Sequence, residues 1–153
     1  MRSTAIQLVP AALVSCFIVM WGAQHMAGQG HTPVTVTRLY TGPDGETHAE
    51  QIDVKLTPNS TLARFEESKA VEATGLQFRR WSPGYVNDWH PAPRRQYVIT
   101  VSGRGEVELM RGQKIPAQPG KVVLAEDMKG KGHITRTLGR EDWITIAVPL
   151  ADK

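Results

Sequence analysis

The sequence predicts an all-β protein, built as a two-sheet sandwich or a closed antiparallel barrel. The chain has 14 Gly and 10 Pro among 153 residues, and from residue 33 onward they recur at short intervals, as turn residues between strands do. Between them lie short segments rich in β-branched and aromatic side chains. No glycine-rich loop separates a strand from a helix, which disfavours the nucleotide-binding α/β folds.

Eight strands are predicted along this pattern. Residues 34–40 are rich in β-formers and are followed by a Gly-Pro-Asp-Gly turn at residues 42–45. Residues 51–56 alternate apolar and polar side chains, as a strand with one wet face does. The charged segment 62–73 is compatible with a helical turn or with irregular chain. The other predicted strands are residues 76–81, 96–101, 106–111, 121–126, 133–138 and 143–149.

The first 30 residues differ in character from the rest of the chain. Arg2 is their only charged residue, residues 5–23 carry no charge, and the stretch after them is small and polar, which is the layout of a secretory signal peptide. We therefore expect residues 1–30 to be removed on export, leaving residues 31–153 as one domain that is periplasmic or secreted. An uncleaved membrane anchor is the alternative, since about 20 apolar residues span a bilayer. Lipidation of Cys16 is a further alternative.

Charge and cysteine content exclude several functions for the predicted domain. Only one of the 18 Lys and Arg residues precedes residue 31, so 17 basic residues face 15 acidic ones there, with both signs interspersed. This is a solvated surface without a phosphate-binding stripe, and we expect no nucleic-acid partner. The only cysteine, Cys16, lies in the leader, so thiol catalysis and zinc–thiolate sites are excluded from the domain.

One segment of the sequence resembles the first motif of the cupin superfamily. That motif runs Gly, His-x-His, Glu, Gly, and Gly84, His90, Gln96 and Gly103 fall on its spacing. A second motif centres on Pro-x-Gly-x-x-His, and its last histidine corresponds to His133. The Pro-Gly pair at residues 119–120 resembles a strand start common in cupins. The resemblance covers roughly residues 75–150 and implies an antiparallel jelly-roll cupin barrel that forms a homodimer.

The resemblance also implies a metal site, with two departures. Cupins with a full ligand set hold iron, manganese, nickel or zinc by histidines and one carboxylate. Ala92 stands here where the second histidine would be, and Gln96 stands where the glutamate would be. The implied ligands of one divalent metal are therefore His90, Gln96 and His133, with lower affinity because the anionic ligand is missing. Asp88, Glu126 and Asp127 are candidates for the missing charge.

Strand alternation suggests which other side chains reach the barrel interior. If Gln96 points inward, Thr100 does too, and Thr135 shares the face of His133, because side chains on one face recur every second residue. Polar residues converging from two strands predict a pocket for a small molecule. Arg94 and Arg95 are candidates to clamp a substrate carboxylate, although a solvated loop pair is the simpler interpretation. Of the adjacent arginines at positions 79 and 80, alternation sends only one inward.

Three functions remain open on the sequence alone. The first is a metal-dependent oxygenase, isomerase or lyase that uses His90 and His133. The second is a cupin that binds a small ligand without catalysis, and the third is a structural protein of the cell envelope with a vestigial pocket. The ligand-binding cupin would hold its ligand through His90, Gln96, His133 and an arginine, whereas His90 is equally well a buried histidine bonded to a backbone carbonyl. Fold alone does not choose among these functions.

Overall fold

The computed structural model describes residues 31–151, which form twelve β-strands and one short 3₁₀ turn over Met110–Gly112. The strands are β1 Thr35–Thr41, β2 Thr47–Asp53, β3 Leu56–Pro58, β4 Glu66–Ser68, β5 Gln77–Trp81, β6 Val86–His90, β7 Gln96–Ser102, β8 Arg104–Glu108, β9 Lys114–Ala117, β10 Val122–Glu126, β11 His133–Leu138 and β12 Trp143–Pro149. The predicted leader lies outside these residues. Within them, no helix is long and apolar enough to cross a bilayer.

Two sheets form the body of the fold. The larger has six strands in the order β2-β1-β10-β7-β12-β5, and the smaller has four in the order β6-β11-β8-β9. Strands β1 and β10 run parallel, and the other pairings in both sheets are antiparallel. The short β3–β4 hairpin stands apart from both sheets. The predicted all-β class and two-sheet barrel are therefore confirmed for the described residues.

Alternating burial along the strands explains how the sheets pack. On β12 the side chains of Trp143, Thr145 and Ala147 are buried while those between them are partly exposed. Leu39 and Val123 of the larger sheet meet Val107 of the smaller one in a single apolar cluster. This cluster closes one region of the barrel interior, and burial of each such side chain stabilises the fold by about 1.5–3 kcal/mol.

The observed strands differ from the predicted ones where side-chain pattern is weak. The segment predicted as one strand at residues 51–56 is split between the end of β2 and β3, and the open segment 62–73 contains the edge strand β4. The strand predicted at residues 106–111 ends at Glu108, because the backbone turns there and Arg111 takes a φ of 63°. Strand β6 is short and largely polar, and β9 has only four residues, with Ile115 and Ala117 buried; neither strand was predicted.

Candidate functional site

A cavity of about 440 Å³ lies inside the barrel and falls within the size range of small-molecule sites, about 300–1,000 Å³. Aliphatic side chains from both sheets form much of its wall, together with the indoles of Trp81 and Trp143. The polar residues that line it are Arg79, Asn87, His90, Gln96, Thr100, His133 and Thr135. The predicted inward positions Gln96, Thr100 and Thr135 therefore do face one cavity.

Two histidines lie side by side in the cavity wall. His90 ends β6 and His133 begins β11, and the two residues are directly opposite each other in the antiparallel pair. Their ring centroids are 4.5 Å apart, and the ring planes are tilted by 59°. The close approach depends on Gly132, where a Cβ would lie 1.9 Å from the backbone oxygen of His90. The absence of a side chain at Gly132 thus makes room for the histidine pair.

Both imidazoles use their Nδ1 atoms for internal hydrogen bonds. The Nδ1 of His90 lies 2.7 Å from the backbone oxygen of Asp88, and the Nδ1 of His133 lies 2.6 Å from Oδ2 of Asp127. A carbonyl or carboxylate oxygen accepts, so each Nδ1 carries the hydrogen. In the neutral ring, Nε2 is then the acceptor, and both Nε2 lone pairs remain available to a ligand. The backbone bond of His90 is the one considered from the sequence.

Asp127 anchors His133 from behind the cavity. Its side chain is fully buried, and its Oδ2 also accepts a hydrogen bond of 3.0 Å from the hydroxyl of Thr47. Its backbone oxygen accepts from the amide of Ala92, which ties the two motif segments together. A carboxylate in this position fixes the tautomer and the orientation of the ring. Asp127 is thus the one of the three candidate acids that joins the site.

The environment of His90 favours its neutral form. Burial is the largest influence and lowers the pKa of His90 below its usual 6.5, and a positive charge on His133 lowers it further. The bond to the Asp88 carbonyl and the charge of Asp127 oppose this shift without cancelling it. At neutral pH the Nε2 of His90 is therefore an acceptor and not a donor.

Gln96 is bonded to an arginine that the sequence did not single out. Gln96 is buried at the start of β7, and its Oε1 accepts a 3.0 Å hydrogen bond from Nη2 of Arg79. The same Nη2 donates to Gln77 at 3.1 Å. The neighbouring Arg80 is exposed and faces Asp142, with 3.4 Å between Nε and Oδ2. Alternation on β5 thus places one of the two arginines inward, as predicted, and it is Arg79.

The arginines predicted to bind substrate do not line the cavity. Arg95 pairs with Glu126, which also accepts from Arg38 at 2.6 Å. Arg94 is exposed, and it acts on the cavity only through its charge, which contributes to lowering the pKa of Arg79. Thr100 lines the cavity, but its hydroxyl accepts from the indole of Trp143 at 3.2 Å.

The residues present fit a metal centre only in part. Within residues 31–151 no group of three or more His, Cys, Asp and Glu side chains is placed to hold a metal ion. The two imidazoles offer free Nε2 atoms, Ala92 contributes a buried methyl group, and the Gln96 oxygen already accepts from a guanidinium. Protein sites for catalytic zinc have three protein ligands, so this set is one short of a firm site.

The chain is similar to several solved structures at low sequence identity. It matches no known family model, and no curated protein sequence matches it. Similar solved structures include the capsular polysaccharide assembling protein CapF of Staphylococcus aureus, with 20% identity, a TM-score of 0.41, 61% of this chain covered and 30% of that chain. Less than a third of CapF is therefore spanned.

Two further similar structures are of cupin proteins. A cupin superfamily protein of Desulfitobacterium hafniense shares 14% identity at a TM-score of 0.38, covering 55% of this chain and 84% of that one. An RmlC-like cupin of Desulfovibrio desulfuricans shares 14% identity at a TM-score of 0.37, covering 61% and 96%. The chain is thus similar, over 55–61% of its length, to solved structures described as cupins.

Proposed function

We propose that this small cupin binds a small organic molecule in its barrel cavity, directly against the His90–His133 pair. The observation that carries the proposal is the state of the two rings. Both Nδ1 atoms are occupied by internal oxygens while both side chains line the same cavity. If the two histidines served only in packing, their two unpaired acceptor nitrogens beside the cavity would lower the stability of the fold. An unsatisfied polar atom inside a protein costs the free energy of removing it from water.

The pair can also move a proton. His133 is backed by the Asp127 carboxylate, which stabilises the imidazolium that forms when Nε2 takes a proton from a ligand. His90 is held neutral by burial, so it accepts a hydrogen bond from the same ligand without competing for its proton at neutral pH. Turnover at this pair takes the form of proton abstraction from a bound hydroxyl or an acidic C–H group.

A divalent metal held by His90 and His133 is the second candidate. Its support is the hydrogen-bonding of both Nδ1 atoms, which is the arrangement that metal-ligating histidines use to orient Nε2. Gln96 remains the third proposed ligand, through an oxygen shared with Arg79. Iron, manganese, nickel or zinc bound there would supply a Lewis acid to the cavity.

Ligand binding is tested by following the indole N–H signals of the purified protein by NMR. Trp81 and Trp143 line the cavity, whereas Trp89 is exposed and lies outside its wall. Benzamide, a neutral molecule that fits the volume, is expected to shift the Trp81 and Trp143 signals and leave the Trp89 signal in place. If the Trp81 and Trp143 signals do not shift up to the solubility limit of benzamide, the proposal is contradicted.

The metal candidate is tested by elemental analysis of wild type beside Ala92→His. Ala92 is in the cavity wall, so a histidine there restores the missing motif ligand. Metal retention is expected to rise by more than tenfold, and His90→Ala is expected to remove it. If neither wild type nor Ala92→His holds metal above background, the candidate is wrong. Gln96→Glu is a poorer test, since the new carboxylate would pair with Arg79.

We further propose export and dimerisation, which the predicted leader and the family resemblance support. An intact mass lacking about the first 22 to 30 residues is expected for protein from the cell envelope. A full-length mass confined to the membrane supports the anchor instead. Light scattering at micromolar concentration is expected to give a dimer mass, and a monomer mass overturns the homodimer.

A further inference from the structure

Arg79 differs from every comparable arginine in the part of the chain that the structure describes. Four arginines of residues 31–151 are half-buried, and three of them, Arg38, Arg95 and Arg136, form ion pairs with glutamates. Arg79, the fourth, has only the side-chain amide oxygens of Gln77 and Gln96 as partners among these residues. A guanidinium withdrawn from water without a carboxylate is unfavourable unless something else neutralises it.

The donor geometry of Arg79 leaves room for such a partner. Its hydrogen bonds to Gln77 and Gln96 both use the single atom Nη2, whereas a guanidinium carries five N–H donors in a planar fork. No residue among 31–151 accepts from its Nε or Nη1. A carboxylate matches that fork with two parallel, charge-assisted N–H···O bonds.

The surroundings of Arg79 also favour an anion. Burial is the main cause that lowers the pKa of Arg79, and the positive charge of Arg94 lowers it further. The guanidinium of an arginine nevertheless stays protonated at neutral pH. The same two causes mean that a negative charge placed beside Arg79 gains both from low dielectric and from a second nearby cation.

The remaining wall indicates what the rest of the ligand is like. Leu39, Val98, Val107 and Val123 line the cavity together with the two indoles. A polar or highly charged body would lose its hydration against these side chains without new hydrogen bonds. We infer that the ligand is a small, largely apolar carboxylic acid, and that Arg79 binds its carboxylate while its apolar body fills the aliphatic part of the cavity. This inference rests on the proposed function.

The test compares two probes of nearly equal shape, benzoate and benzamide, by titration against the Trp81 and Trp143 indole signals. Wild type is expected to bind benzoate at least about tenfold more tightly than benzamide, since a charge-assisted pair contributes at least ~1.4 kcal/mol. Arg79→Gln is expected to reduce the ratio to near one while the benzamide affinity changes less than twofold. Arg80→Gln is the matched control, because its side chain is exposed and outside the cavity, and it should keep the wild-type ratio.

The outcomes separate this inference from the proposed function. Equal binding of both probes to wild type, or a benzoate preference that survives Arg79→Gln, overturns the role of Arg79 while the cavity remains a binding site. Phenylphosphonate binding more tightly than benzoate overturns the carboxylate assignment. Arg79→Lys keeps the charge but loses the fork, so an intermediate ratio supports two-point recognition. Loss of benzamide binding in wild type is instead a failure of the proposed function.

Discussion

Two half-buried arginines, Arg79 and Arg95, show two different uses of a positive charge in one barrel. Arg95 belongs to the Glu126 cluster, formed by Arg38, Glu50, Arg95 and Glu126, in which each charge has an opposite partner. Arg79 lines the cavity and is met only by glutamine oxygens. The charges of the Glu126 cluster are all paired within the protein, whereas the charge of Arg79 in the cavity has no carboxylate partner among residues 31–151.

The difference separates residues that stabilise the fold from residues kept for a ligand. Internally paired groups contribute to stability, and removing one leaves its partner unsatisfied. Groups that lack partners in the free protein contribute little to stability or lower it. Such unpaired polar groups are expected mainly at functional sites. The following changes sharpen or break this contrast, beginning with the largest expected effect.

The buried Asp127–His133 pair should be the most sensitive contact in the cavity wall. Among residues 31–151, His133→Ala leaves the fully buried Asp127 with Thr47 as its only side-chain partner. We expect a loss of about 3 kcal/mol in the free energy of unfolding, measured by urea denaturation in the presence of a chelator. His90→Ala is the matched control, because that ring is half-buried and bonded to a backbone oxygen, and should cost under about 1 kcal/mol. Equal losses from both changes would contradict the assignment.

The Glu126 cluster should come next. Glu126→Gln removes the charge that Arg38 and Arg95 share, and a hydrogen bond to a charged group contributes about 1.5–3 kcal/mol. We expect a loss of about 2 kcal/mol in urea. Glu50→Gln, an exposed partner of Arg38, should cost less than about 0.5 kcal/mol. A Glu126→Gln protein as stable as wild type would show that the cluster does not support the fold.

The same glutamate should give the fold an acid-sensitive component. Burial raises the pKa of Glu126, but the hydrogen bonds from Arg95 and Arg38 outweigh it and hold the pKa below 4.5. A carboxyl with a lowered folded pKa stabilises the protein fully above its unfolded pKa, and that contribution is lost as pH falls through the folded value. As the pH falls from about 5 to about 3, wild type should therefore lose more stability than Glu126→Gln. Parallel pH profiles would contradict this.

The contribution of His90 to stability should depend on pH in the opposite direction from that of a histidine paired with an acidic residue. Burial lowers its pKa, so the unfolded chain takes up a proton first and stability declines as pH falls through about 6.5. An NMR titration of the metal-free protein should place the His90 midpoint below 6.5. A midpoint at or above this value would mean that the ring is solvated or paired, and its Nε2 would no longer be a dependable acceptor at neutral pH.

The sequence predicts the fold well where side-chain alternation is strong. Strand β12 runs over Trp143–Pro149, the predicted bounds, because every second side chain is buried. Strand β6 was missed because Val86–His90 is short and mostly polar, and it is held as a strand by its pairing with β11. Strand β4 was missed for a similar reason, since it is a three-residue segment paired only with β3.

The site is predicted less completely, because its contacts depend on register. The family spacing brings His90 and His133 together, and the structure confirms their proximity. Alternation says that one of Arg79 and Arg80 faces inward, but the choice is made by β12, which places Thr145 opposite Arg79. That Asp127 and not Glu126 reaches His133 follows from the turn after β10, which no local pattern encodes.

The central claim is that Arg79 is held for a ligand and not for the fold, and one pair of variants tests it most directly. The free energies of unfolding of ligand-free Arg79→Gln and Arg95→Gln are to be measured side by side in urea. We expect Arg95→Gln to cost about 1–2 kcal/mol, since it removes one of the two guanidinium groups that pair with Glu126. Arg79→Gln should lie within about 0.5 kcal/mol of wild type or be more stable, because it removes a buried charge without a carboxylate partner. A loss from Arg79→Gln equal to that from Arg95→Gln would make Arg79 a structural residue and contradict the account.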